Sequence, residues 1–136
     1  MKIILAYDGS EHAARALHAL ATLIRPPAHV LVVGAVQGMA LDAEGNPAEP
    51  DAEELQAAQT SLAKACSELG ASGEFKVTAR VLVGDPAHLI PQLALDEQAT
   101  LIVTGSRGLG LAGRVVFGSV SHAILHHTEC AVMVVR

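Results

Sequence analysis

Two periodicities divide the chain: short apolar runs that read as strands, and longer stretches whose apolar positions recur at helical spacing. Ile3 to Tyr7 is a continuous apolar run, the mark of a strand covered on both faces, and Asp8-Gly9-Ser10 ends it. Ser10 is placed to cap a helix whose apolar positions are Ala13, Ala14, Leu17, Leu20, Ala21 and Ile24, stopped by Pro26-Pro27. Val30 to Val36 predicts a second buried strand. Gln37 to Pro50, with glycines and prolines among acidic residues, reads as a long surface loop, disordered or acting as a lid. From Asp51 a helix follows Leu55, Ala58, Leu62, Ala65 and Leu69, ending at Gly70.

Phe75 to Val83 alternates apolar and polar residues, which predicts a half-exposed strand at a sheet edge. Asp85 as N-cap and Pro86 at the first helical position open the next helix, with Leu89, Ile90, Leu93 and Ala94 inward. Pro91 falls inside it and predicts a kink, because an interior proline loses a hydrogen bond at a cost of ~3 kcal/mol. Leu101 to Thr104 is a further buried strand. Val120, Ala123, Ile124 and His127 mark a last short helix, and Ala131 to Val135 a last strand.

Strands and helices in strict alternation define an α/β chain with an open parallel sheet and helices on both faces. Ligands of such sheets bind outside the carboxyl ends of the strands, where the strand order reverses. With the first and fourth strands as central neighbours, Asp8-Gly9 and the stretch from Gly105 to Gly108 flank one crevice.

Composition narrows the picture. The 136 residues are expected to form one domain, 1–136, and 51% of them are hydrophobic, nearly all aliphatic, with no Trp. A net charge of −5 argues against nucleic acid or an anionic membrane as partner. Cys66 and Cys130 lack the spacing of a disulfide framework or a zinc site, so a reduced cytoplasmic chain with both thiols buried is expected. The opening Met-Lys-Ile-Ile-Leu-Ala is too short an apolar run for a signal peptide or a span.

The candidate chemistry lies between the fourth strand and the last helix, in a glycine-rich, basic, hydroxyl-bearing loop from Gly105 to Ser121. Backbone N–H groups in such a loop can turn inward as an anion nest, and a helix beginning near Gly118 adds its own unpaired N–H groups, with the Ser119 and Ser121 hydroxyls. Gly108-Leu-Gly110-Leu-Ala-Gly113 matches a dinucleotide fingerprint literally, but no strand with an acidic end follows at the required distance. No Gly-Lys-Ser/Thr is present for a P-loop. The remaining spacing, G-x2-G-x9-G-S on Gly105, Gly108 and Gly118-Ser119, resembles the nucleotide-binding signature of the universal stress protein family. Ala6-Tyr-Asp8-Gly-Ser10 and Val83-Gly-Asp-Pro86 extend the resemblance to essentially the whole chain.

The resemblance implies a doubly wound five-stranded sheet of order 3-2-1-4-5 and a stress-response regulatory protein that binds ATP or AMP, with Mg²⁺ accompanying the nucleotide. It implies phosphate contacts at Gly108, Gly118, Ser119, Val120 and Ser121, and ribose or phosphate contacts at Gly105 and Arg107. Adenine and ribose contacts are implied at Ala6, Tyr7, Asp8 and Ala35. Gly34 stands where many members have histidine and Ala35 where a larger aliphatic is common, which implies a looser adenine pocket. A homodimer through the C-terminal strand is also implied, and that strand is apolar on both faces with no charge before Arg136. No nucleophile with an adjacent base appears, so the chain is at most a weak ATPase; the alternative is a dimeric interaction protein that has lost its nucleotide. His122, His126 and His127 share the last helix without the Glu of an H-E-x-x-H motif, so no metal held by protein alone is expected, and His12 and His18 are expected on a helix surface.

Overall fold

The computed structural model describes residues 1–38, 43–46, 49–106 and 119–136. Its elements in chain order are β1 (Lys2–Ala6), α1 (Glu11–Leu23), β2 (Ala28–Val36), α2 (Ala52–Ser72), β3 (Phe75–Val83), α3 (Pro86–Asp96), β4 (Leu101–Gly105), α4 (Ser119–His127) and β5 (Ala131–Val135). The five strands form one parallel sheet of order β3-β2-β1-β4-β5. In register, Ala6 of β1 lies between Val33 of β2 and Thr104 of β4.

The core divides into two layers because successive residues of a strand point to opposite faces. On one face Ile3, Leu5, Val32 and Val103 pack with Ala16, Leu17 and Leu20 of α1 and with Leu62, Ala65 and Leu69 of α2. On the other, Ile4, Ala6, Leu31, Val33 and Ile102 pack with Ile90, Leu93 and Ala94 of α3 and Ile124 of α4. Helices α1 and α2 thus carry the chain outward from β1 to β3 over one face. Helix α3 then returns it to β4, on the other side of β1, over the opposite face. The order reverses between β1 and β4, which makes the gap above their carboxyl ends the switch point.

Local signals explain most boundaries. The Ser10 side chain accepts from Ala13 N at 3.1 Å and the Asp85 carboxylate from Ala87 N at 3.0 Å, so both predicted caps form. Helix α1 ends at Leu23, before the proline pair; Ala13, Ala16, Leu17 and Leu20 are its buried residues, whereas Ala14 is exposed. Helix α2 continues past Gly70 to Ser72. Gly70 is exposed, so it opens no gap in the core, and Leu69 beside it is fully buried. Pro91, at which the sequence predicts a kink or an early distortion, falls inside α3. Pro91 is buried beside Ile90, Leu93 and Ala94, so burial of its ring offsets the one backbone bond it cannot make. Strand β3 is a half-exposed edge, as its alternation predicts. Cys66 and Cys130 are free and only half-buried, packed at the margins of the two layers. Among the described residues no helix is long and apolar enough to cross a membrane.

Candidate functional site

The carboxyl ends of β1 and β4 are fixed by a few backbone contacts. Tyr7 N donates to Val33 O at 2.8 Å, and Ser106 N donates to Val135 O at 2.8 Å, so the sheet stays paired to the rim of the crevice. Asp8 Oδ1 accepts from Ser10 N at 2.9 Å, which ties the turn between β1 and α1 and leaves Asp8 exposed at the rim. Its carboxylate therefore has a structural task in the turn whatever else it contacts.

Strand parity decides which expected residues share a surface. Ala6 faces the α3 and α4 layer. Ala35 is two positions beyond Val33 on β2 and pairs with Leu82, which packs on that same layer, so Ala35 faces it too. Val120, in the first turn of α4, packs against it, and Ser121 is 2% exposed. Thr104, also buried, sits two positions beyond Ile102 on this face, with its hydroxyl donating to Gly105 O at 3.2 Å. Two alanines at the strand ends thus share a sheet face with the N-terminal turn of α4, whose unpaired helix N–H groups favour an anion.

Tyr7 and Gly105 belong to the opposite face. The Tyr7 ring packs on the α1 and α2 layer, where burial, then the Glu68 and Asp8 carboxylates, push its phenol above the ordinary value. Only its backbone borders the crevice on the α4 side. A Cβ built on Gly105 would stand 2.8 Å from His12 C and 2.9 Å from His12 O. Gly105 is thus required by the close seating of α1 on β4, a role that phosphate contact does not explain. His12 is correspondingly not a surface residue: it is half-buried, and its Nδ1 is buried with no hydrogen-bond partner. No local pattern signals this, because the contact joins residues from distant parts of the chain. Gly34 also turns away from Ala6 and Ala35. A Cβ there would meet Leu62 of α2 and Tyr7 O, both at 3.2 Å, so its small size serves helix packing.

Arg107, Gly108 and Gly118 lie outside the described residues, as does Arg114. Ser119 begins α4. A separate groove of about 720 Å³ runs between α3 and α4, lined by Ala87, His88, Pro91, Gln98, His127 and Cys130 among others. It contains none of the residues at the strand ends. Among the described residues no cluster of three or more His, Cys, Asp or Glu side chains is arranged to hold a metal.

A doubly wound parallel sheet with small residues and a helix N-terminus at its switch point defines the class: an α/β protein of the kind that binds ligands above its strand ends. Over residues 1–136 the chain matches the model of the universal stress protein family. It belongs to that family. It is 39% identical to a universal stress protein of Thermus aquaticus, a match covering 98% of this chain and 97% of the relative. Its fold is similar to that of the Archaeoglobus fulgidus universal stress protein in complex with dAMP, with a TM-score of 0.78 and 24% identity over 100% of this chain and 98% of that one. A universal stress protein in complex with cAMP superposes with a TM-score of 0.77 and 22% identity, covering 100% of this chain and 97% of that one.

Proposed function

We propose that this protein is a stress-response regulator that binds ATP or AMP above the carboxyl ends of β1 and β4, and acts as a homodimer. The single observation that carries the reading is that Ala6, Ala35 and Val120 in the first turn of α4 share one sheet face at the switch point. There the phosphates take the N-terminal turn of α4, at Ser119, Val120 and Ser121, together with Arg107, Gly108 and Gly118 of the signature. The base rests over the small side chains of Ala6 and Ala35, with the Tyr7 backbone and Asp8 at the rim. Gly105 supports the site from below by letting α1 approach. Fold neighbours that hold dAMP and cAMP support an adenine nucleotide as the ligand class. Mg²⁺ would accompany ATP through phosphate oxygens, being a hard cation that keeps much of its water.

The test is mass spectrometry of any ligand released from purified protein, followed by calorimetry with ATP, AMP and cyclic AMP. Binding of at least one of them is expected, with loss of ~10-fold or more in affinity in Gly118→Val, where a β-branched side chain replaces a signature glycine. Equal affinity in wild type and variant would sink the assignment of the phosphate loop.

A further inference from the structure

The last helix carries a feature that nucleotide binding does not use. His122 and His126 are one turn apart on α4, both exposed, with ring centroids 4.4 Å apart and ring planes inclined by 52°. Among the described residues no hydrogen bond or ion pair engages either ring, so nothing must be broken for their nitrogens to take a new partner. Two imidazoles at i and i+4 on a helix are a natural chelate, since a cation holding both at ~2.0–2.1 Å needs ligand nitrogens only ~3.3 Å apart. The two rings already stand side by side.

We propose that His122 and His126 form a two-ligand site for a divalent transition-metal ion on the surface of α4. The absence of a glutamate between them excludes the catalytic zinc motif, but a bidentate surface site needs no general base. Imidazole donors favour Cu²⁺, Ni²⁺ and Zn²⁺ over Mg²⁺ and Ca²⁺, with Cu²⁺ tightest in the usual order. With two protein ligands the remaining positions are water, so the ion is exchangeable and the site is not a closed structural zinc centre. Helix polarity adds to the attraction, because His126 lies in the last turn, where the carbonyl end of the dipole favours a cation. The ion also acts as a clip: α4 has 9 residues, below the ~12–15 at which helices hold without tertiary support, and a chelate across one turn fastens it.

The experiment uses the full chain stripped of metal with a chelator, titrated with Cu²⁺ in a non-coordinating buffer and followed by calorimetry and by electron paramagnetic resonance. One ion per chain with nitrogen coupling is expected. His122→Ala and His126→Ala should each weaken binding by at least ~10-fold, since each leaves a one-ligand site. His18→Ala and His127→Ala, which remove exposed histidines outside the pair, should stay within about 2-fold. Wild type should also show a Cu²⁺-dependent rise in Tm that both pair variants lack, and far-UV circular dichroism verifies that they fold. Unchanged affinity in His122→Ala, or an equal loss in His18→Ala, would overturn the proposal. No nucleotide is present in this experiment, so its outcome is independent of the proposed function.

Discussion

Gly105 shows how one residue can be constrained from a side that its motif does not reveal. It opens the glycine signature, yet its missing Cβ is required by the main chain of His12, 2.8 Å from where that atom would stand. Backbone cannot rotate aside as a flexible side chain can, so Gly105→Ala must push α1 off the sheet. The expected cost is ~1–3 kcal/mol, in the range of an overpacked core. Urea unfolding of the variant measures it, and a midpoint equal to that of wild type would show that α1 yields freely. The outcome also bears on how Gly105 variants are interpreted, because any loss of ligand affinity there would come through α1 as well as through direct contact.

At the scale of elements, the two edges of the sheet differ in how they are protected. β3 carries Lys76, Thr78 and Arg80 on its exposed side, charge and polarity that discourage pairing with another strand. β5 has no such device. Its residues Val132 to Val135 are half-buried and apolar, and its outer N–H and C=O groups lie on the open edge. The proposed homodimer covers that edge with the same strand of a second copy, a self-complementary contact about a two-fold axis. Sedimentation at micromolar concentration should therefore give a dimer. Val134→Lys should give monomer or precipitate, because an ammonium would be driven into an apolar seam. Wild-type protein that sediments as a monomer contradicts this use of β5.

For the whole molecule, a charge cluster ties the start of the sheet to the end of α3 and makes stability depend on pH. Glu97 pairs with Lys2 of β1 and, at 3.0 Å, with Arg80 of β3. Hydrogen bonds from Lys2 and then Arg80 hold its carboxyl below the ordinary carboxylate range. A carboxylate with a depressed folded-state pKa stabilises the fold above the unfolded value, and that contribution disappears as pH falls through the folded value. His29, bonded to Thr78 Oγ1 through Nε2 at 3.0 Å, adds to the same trend. Burial first, then Lys76 and Lys2, lower its pKa, so the unfolded chain takes up a proton more readily than the folded one. Stability should thus begin to decline as pH drops through the ordinary imidazole value of ~6.5, and decline further in the carboxylate range. Chemical denaturation from pH 8 to pH 4 measures this, and His29→Gln should remove the upper part of the slope while keeping the lower. A slope unchanged in His29→Gln would assign the upper part to other groups.

The sequence by itself determined the nature and order of the elements, because each is signalled locally. Apolar runs gave the buried strands, alternation gave the exposed edge of β3, and Ser10, Asp85 and Pro86 gave helix starts that the structure reproduces. The family signature named the stretch at which to look. Where the pattern failed, a contact distant in sequence had decided the matter. His12, expected on a helix surface, is half-buried because Gly105 lets α1 close on β4. Which residues share a face at the strand ends was likewise settled by the tertiary structure. Parity along β1, β2 and β4 puts Ala6, Ala35 and Thr104 on the face covered by α3 and α4, and turns Tyr7, Gly34 and Gly105 toward α1 and α2. A motif records which residue types occur and at what spacing. The face on which each side chain acts is fixed only when strand register and helix layers are both in place, since a shift of one residue along a strand exchanges the two faces.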